Sequence, residues 1–312
     1  MQKKLIALAV AGLVSGAAFA QSNVEIYGVA DGYYGYVKAG DAKVNPAFNS
    51  GGLAGSRIGF KGAEDLGNGM KAVFQYELGS LNIDQNDNGI NKTRQSYVGL
   101  AGGFGTVVLG RLQTPGYYTT KVDALAASAI SPQAILGGGM RSTIAPTGDA
   151  RLDNAIAYLS PNFSGFSAVL AYAAGEQATG CDVCSSDKQG VWGLGLDYAG
   201  GPVAVSFVHH NISNAGGDPD ADVKEYMLGG SYDLKMVKIL GSYQTRKNDK
   251  TDKTDKLWQL GAIAPVGPGN VHFAYAKTDM DVDNTDSKSW TLAYTYGFSK
   301  RTTGYVGYNR TT

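Results

Sequence analysis

The stretch Trp290-Thr291-Leu292-Ala293-Tyr294-Thr295-Tyr296-Gly297-Phe298 alternates with a period of two. Thr291, Ala293, Thr295 and Gly297 form a small or polar set, while Trp290, Leu292, Tyr294, Tyr296 and Phe298 form an apolar and aromatic one. Successive side chains of a β-strand point to opposite faces, so the two sets occupy the two faces of one strand. The same split recurs elsewhere in the chain. Lys71, Val73, Gln75 and Glu77 oppose Ala72, Phe74, Tyr76 and Leu78, and His272, Ala274 and Ala276 oppose Val271, Phe273 and Tyr275. A soluble sandwich would carry many Lys and Glu on its outer face. Here that face carries aliphatic side chains and rings near strand ends, which is the apolar band and aromatic girdle of an antiparallel β-barrel that spans an outer membrane.

Composition supports an all-β chain. Its 312 residues include 44 Gly, 19 Tyr and 10 Phe, and Gly stands at twice its ordinary share of about 7%. Basic and acidic residues balance at 27 each, which excludes the basic excess of a nucleic-acid binder. With 43% hydrophobic residues and no net charge the chain is not of the disordered class. Residues 1–20 have the pattern of a secretory signal: Lys3 and Lys4, an apolar run from Leu5 to Val14, and the small-residue site Ala18-Phe19-Ala20. Cleavage before Gln21 is expected, leaving residues 21–312 as one barrel domain with 25 basic and 27 acidic residues. No other apolar run approaches the roughly 20 residues of a membrane helix, so any crossing of a membrane is expected to be made by strands.

The connections alternate in length. Short links at Glu64–Gly69, Ala101–Gly105, Ala199–Pro202 and Pro265–Asn270 take turns with long ones at Lys38–Gly55, Gly79–Thr93, Leu112–Leu152 and Ala173–Gln189. The same register continues through long links at Asn211–Lys224, Gln244–Asp255 and Thr278–Lys288. Transmembrane barrels have short turns on the periplasmic side and longer loops outside. Fifteen strands can be counted, the last near Thr303–Asn309. Because bacterial barrels of this kind close with an even number, the count predicts that the C-terminal sixteenth strand is missing from this sequence. The Leu112–Leu152 link far exceeds the roughly 15 residues beyond which a loop suggests function, and its Ala-rich middle, Thr119 to Ile130, is expected to form a short helix.

Several segments carry a family resemblance. The run Gly55-Ser56-Arg57-Ile58-Gly59-Phe60-Lys61-Gly62, followed by Glu64-Asp65-Leu66-Gly67-Asn68-Gly69, resembles the second strand and first turn of the general porins of betaproteobacteria and Neisseria. Arg94-Gln95-Ser96-Tyr97-Val98-Gly99-Leu100, Gly103-Phe104-Gly105 and Leu109-Gly110-Arg111 are similar to the segments that follow in that family. So is Asp153-Asn154 to Tyr158 with Ser160-Pro161-Asn162-Phe163-Ser164-Gly165-Phe166. The resemblance implies a 16-stranded barrel, a homotrimer in the outer membrane, passive diffusion of ions and small hydrophilic solutes, and a third loop folded into the lumen. One departure is the end of the chain, where the family's strand closing on Phe has no counterpart.

Parity assigns the charged candidates. Arg57 shares its face with Gly59, Lys61 and Ala63, opposite Ile58 and Phe60. An Arg on the lipid face costs about 2–4 kcal/mol at the midplane, so Arg57 and Lys61 are expected in the lumen. Arg94 sits with Ser96 opposite Tyr97, and Arg151 shares the parity of Asp153, Ala155 and Ala157. The resemblance implies that arginines at these three places line the pore constriction, with Glu77 and Asp123 as candidates for the facing carboxylates. A guanidinium stays charged at any working pH, and rings of Arg favour anions. A moderate anion preference is therefore expected, with the same arginines also able to hold the third loop through its carboxylates.

The remaining signals are weaker. Cys181-x-x-Cys184 in an exported loop is expected to form a small structural disulfide. His209, His210 and His272 have no metal-ligand spacing, and no P-loop, nucleotide fingerprint or nucleophile elbow is present, so no cofactor is expected. Alternatives to a general diffusion channel are a channel selective for a nutrient class such as organic acids or phosphate, a non-conducting structural or adhesive barrel, and a barrel enzyme. A sixteen-strand circumference is too wide for side chains alone to plug. For the enzyme, Ser206 and His209 are three apart and fall on opposite faces of a strand.

Overall fold

The computed structural model describes residues 23–39, 42–43, 46–79, 81, 83, 92–125, 128–146, 150–174, 190–215, 218, 220–282 and 285–312. The expected signal segment 1–20 and the pair Cys181 and Cys184 lie outside the described residues.

Fifteen strands form one sheet. They are β1 (Asn23–Val29), β2 (Arg57–Gly67), β3 (Met70–Gly79), β4 (Lys92–Gly102) and β5 (Gly105–Gln113). After the third long loop come β6 (Arg151–Leu159), β7 (Phe166–Ala173), β8 (Val191–Gly200), β9 (Val203–Ile212) and β10 (Val223–Asp233). The sheet continues through β11 (Lys238–Asn248), β12 (Lys253–Val266), β13 (Gly269–Asp279), β14 (Lys288–Gly297) and β15 (Thr303–Thr311). Each strand pairs with the next in sequence, and every pair is antiparallel. Most have the length of about 9–11 residues with which a tilted strand crosses a bilayer. Two small hairpins, Gly32–Gly35 with Ala47–Ser50 and Lys38–Ala39 with Ala42–Lys43, decorate the first long connection.

The alternation seen at Trp290 to Phe298 is realised in β14. Thr291 is fully buried on the inner face and Leu292 is half exposed on the outer one. Along β13, His272, Ala274 and Ala276 are buried and Phe273 is exposed. Exposed outer residues such as Val98, Leu170, Leu228, Leu260 and Val306 continue this apolar face around the sheet. The two ends of the strand order approach each other at Asp31, just after β1. Its carboxylate accepts hydrogen bonds from the backbone of Gly52, Leu53 and Ala54 and from the Tyr305 hydroxyl on β15. The sheet therefore curls into a barrel.

The third long loop packs on the inner face. It contains a 3₁₀ helix at Pro115–Lys121, which takes in only the first three residues of the Ala-rich middle expected to be helical, and a helix α1 at Pro132–Gly139 beyond that middle. Within that middle the Asp123 carboxylate accepts from its own neighbour Leu125 N and from the Ser131 hydroxyl, which in turn caps α1 at Ala134 N. A short acidic side chain that bonds local backbone competes with helix formation, and Pro132 pre-sets the first turn after the cap. Val122 and Ala124 instead lie along the wall, where a Cβ at Gly229 would stand 3.0 Å from Val122 and one at Gly261 2.7 Å from Ala124. A second difference concerns the connection expected at Gln244–Asp255. Strands β11 and β12 pair out to Asn248 and Lys253, so it is a long hairpin closed by a tight turn.

Candidate functional site

Glu77, on the inner face of β3, is 6% exposed and gathers groups from three neighbouring strands. Arg94 on β4 donates from Nε at 2.6 Å, Arg57 on β2 brings Nε to 3.4 Å, and Tyr27 on β1 donates its hydroxyl at 3.0 Å. Two guanidiniums thus share one carboxylate, and the three charges sum to +1. Hydrogen bonds with an ionised partner are about twice as strong as neutral ones, which fixes Arg94 on the wall, while Arg57 is held by the ion pair and by its own hydrogen bond from Nη1 to Gly55 O at 2.9 Å. Behind it, Gln75 donates to the Tyr27 hydroxyl at 2.7 Å and accepts from the Tyr97 hydroxyl at 3.0 Å.

The third loop reaches the same cluster through Tyr117. Its hydroxyl accepts from Arg94 Nη2 at 3.2 Å and from Arg151 Nη2 at 3.0 Å, and its ring lies 4.8 Å from the Arg151 guanidinium carbon. Arg57, Arg94, Arg151 and Glu77 therefore come together. Lys61 lies farther down β2, paired with Glu25 at 3.2 Å and set against the Tyr27 ring. Asp123 is 2% exposed and is held within the loop as described above; it does not stand with Glu77. Arg111 also stays apart, donating to Asp153 and to the Thr93 carbonyl.

Simple parity fails at two of these arginines. The β3–β4 register runs Glu77↔Gln95 and then Leu78↔Thr93, leaving Arg94 as an extra residue. A bulge opposes two residues to one and shifts the parity beyond it. Tyr97 accordingly points inward to Gln75, not to the lipid side, and Val98 and Leu100 are the exposed residues. The β5–β6 register shifts likewise between Leu152 and Ala155. Leu152 and Ala155 both join the inner cluster, so Arg151 does not share an uninterrupted alternation with Ala155. It reaches Tyr117 from the first position of β6, where the loop turns inward.

A second inner cluster, for which no sequence motif gave warning, anchors the loop to β9 and β10. His210 and Glu225 are both 0% exposed. The Gly116 amide donates to His210 Nε2 at 3.1 Å, so Nδ1 carries the proton and donates to Thr143 Oγ1 at 2.7 Å. Thr143 in turn donates its hydroxyl to the Glu225 carboxylate, which also accepts Thr143 N and faces Arg246 Nε at 3.5 Å. Farther round the barrel, Gln259 donates to Val122 O at 2.9 Å, His272 to Ala124 O at 2.8 Å and Thr291 to Ile130 O at 2.6 Å. The infolded backbone thus finds partners on the wall, as buried polar groups must. The only signal for these anchors was the inward parity of polar residues on otherwise apolar-flanked strands.

A barrel with a lipid-type outer face, and an inner face where a folded-in loop meets clustered arginines, defines a membrane channel. A model of the Gram-negative porin family matches residues 7–312, and the chain belongs to that family. It is 36% identical over 314 residues to outer membrane porin protein 32 of Delftia acidovorans, covering 98% of this chain and 88% of that protein. An outer membrane porin protein of Bordetella pertussis is 31% identical over 364 residues, with 98% and 93% covered. Among solved structures, an anion-selective porin from Comamonas acidovorans superposes with a TM-score of 0.78 at 31% identity, covering 93% of this chain and 89% of that one. The protein is an outer-membrane porin.

Proposed function

We propose that this porin passes ions and small hydrophilic solutes with a preference for anions, and that Arg57, Arg94 and Arg151, with Glu77, form its constriction. The observation that carries the reading is the convergence of the three guanidiniums on Glu77 and Tyr117 beside the infolded loop. Low-dielectric walls focus the field of fixed charge on passing ions, so the excess positive charge of this patch lowers the barrier for anions and raises it for cations. The anion selectivity of the similar Comamonas porin supports the same sign. Single-channel recording of the wild type and of Arg94→Ala in a KCl gradient tests it. The expected result is an anion-preferring reversal potential that moves toward zero in Arg94→Ala; a cation-preferring wild type would refute the reading.

Assembly as a homotrimer belongs to the same proposal and rests on family membership; the mass of the native detergent complex checks it. Export with loss of residues 1–20 rests on the signal pattern, and N-terminal sequencing of the membrane-inserted chain tests it.

A further inference from the structure

The infolded loop carries three charged side chains among its described residues, Lys121, Asp123 and Arg141. Two of them are engaged by the protein itself. Asp123 is 2% exposed and bonded within the loop, and Lys121 pairs with Asp197 of β8 at 2.6 Å. Arg141 is exposed, and its side chain forms no ion pair or hydrogen bond with any described residue. The face that this loop turns to the water therefore carries a guanidinium where a carboxylate was expected.

Local structure fixes where that guanidinium stands. Helix α1 lays Leu136 and Met140 on the wall with Leu257 of β12 and Ala276 of β13. Ser142 N then donates to Gly137 O and Arg141 N to Gly138 O, which turns the chain off the helix with Arg141 in the left-handed region at φ 52°. Gly or Asn ordinarily fills such a position, because a Cβ is disfavoured there, so the turn itself gives no reason for Arg. With Met140 buried against the wall and Arg141 exposed beside it, the Arg141 side chain faces the lumen. β12 lies eight places along the strand order from β4, about half the way round the barrel. Arg141 thus stands across the water path from Arg57, Arg94 and Arg151.

We infer that Arg141 is a further selectivity-determining residue of the channel, a fixed positive charge that faces a permeating anion from the loop side while the arginine cluster faces it from the wall. The inference deepens the proposed anion preference and rests on it for the location of the constriction. Fixed charge beside a narrow aqueous path acts through its field, without contact. A loop carboxylate would give cations a favourable side of the path, and Arg141 removes that side. A cation at the C-terminal end of α1 also suits the helix dipole, but that structural role alone leaves selectivity unmoved.

Zero-current potentials of Arg141→Gln and Arg141→Lys under a KCl gradient test this, measured near 0.1 M and near 1 M salt, where the screening length falls from about 10 to about 3 Å. Arg141→Gln is expected to lower the chloride-to-potassium permeability ratio about twofold at the lower salt, the effect of one unit charge roughly 10 Å from the ion path in water, and to change it little at the higher. Arg141→Lys is expected to keep the wild-type ratio. Heat-modifiable electrophoretic mobility shows that each variant is folded. Should the Gln variant not fold, Arg141→Cys in a chain with Cys181→Ser and Cys184→Ser takes its place; an anionic thiol reagent is then expected to shift the potential toward cations and a cationic reagent to restore it. The sign of the wild-type potential tests the earlier reading and the shift caused by Arg141→Gln tests this one, so each can fail alone. A Gln variant with the wild-type ratio at low salt, a Lys variant that behaves as the Gln one, or a ratio altered equally at both salts together with the conductance, as a displaced loop gives, would each overturn the inference.

Discussion

The Tyr117 hydroxyl accepts from Arg94 and Arg151 at once, occupying the place where an oxygen of a permeating anion would meet the same two donors. Tyr117→Phe keeps the ring beside Arg151 and removes only that oxygen. The expected outcome is a stronger anion preference together with a conductance that saturates as phosphate concentration rises; unchanged current–concentration curves would contradict it. Glu77→Gln acts in the same electrical direction, because it removes the one carboxylate shared by Arg57 and Arg94. Reversal potentials are expected to shift toward anions. Stability is expected to fall by on the order of 2 kcal/mol, the scale of hydrogen bonds to charged groups, as read from thermal unfolding in detergent. Arg57 was legible from its own sequence neighbours because β2 is regular from Arg57 to Asp65. Arg94 and Tyr97 show the limit of such reading: alternation cannot see that one residue is extra, since a bulge is defined by its partner strand.

At the scale of elements, the loop between β5 and β6 is held by the wall more than by its own helices. Glu225 receives two donors from Thr143, lies beside Arg246 and is fully buried. Removing one partner from a buried ionic cluster costs about 3–5 kcal/mol. Glu225→Ala is therefore expected to release residues 114–150 from the wall, seen as larger and noisier single-channel currents and as new protease cleavage inside the loop of the folded barrel. Gly261→Val tests the other contact, since its side chain has no room beside Ala124. It is expected to cost about 1–3 kcal/mol, the usual penalty of overpacking, measured by thermal unfolding. The loop's length and inward course were foreseeable; its helix positions were not. Alanine content marks helix propensity, but Asp123 and Ser131 decide the local outcome by bonding backbone and cap, and tertiary contact of Val122 and Ala124 with the wall settles the rest.

At the scale of the molecule, the bilayer explains why so much of the fold could be read from one strand. A membrane demands apolar side chains on every second position and a paired backbone throughout, so each strand repeats the partition seen at Trp290 to Phe298. Loop and turn lengths then give direction, with the connection at 249–252 as the departure, shortened because β11 and β12 extend past the interface. What stayed hidden is the set of contacts that join distant segments: Asp31 to Tyr305, Gly116 to His210, Ala124 to His272. None leaves a local pattern, because each pairs residues far apart in the chain. Function follows from how these contacts place charge beside the water path. The most direct measurement is the zero-current potential of the full-length channel in a planar bilayer under a KCl gradient, for the wild type and for the joint change of Arg57, Arg94 and Arg151 to Ala. The account predicts an anion-selective wild type whose preference is abolished or reversed in the triple variant; a wild type selective for cations, or a triple variant with unaltered potential, would contradict it.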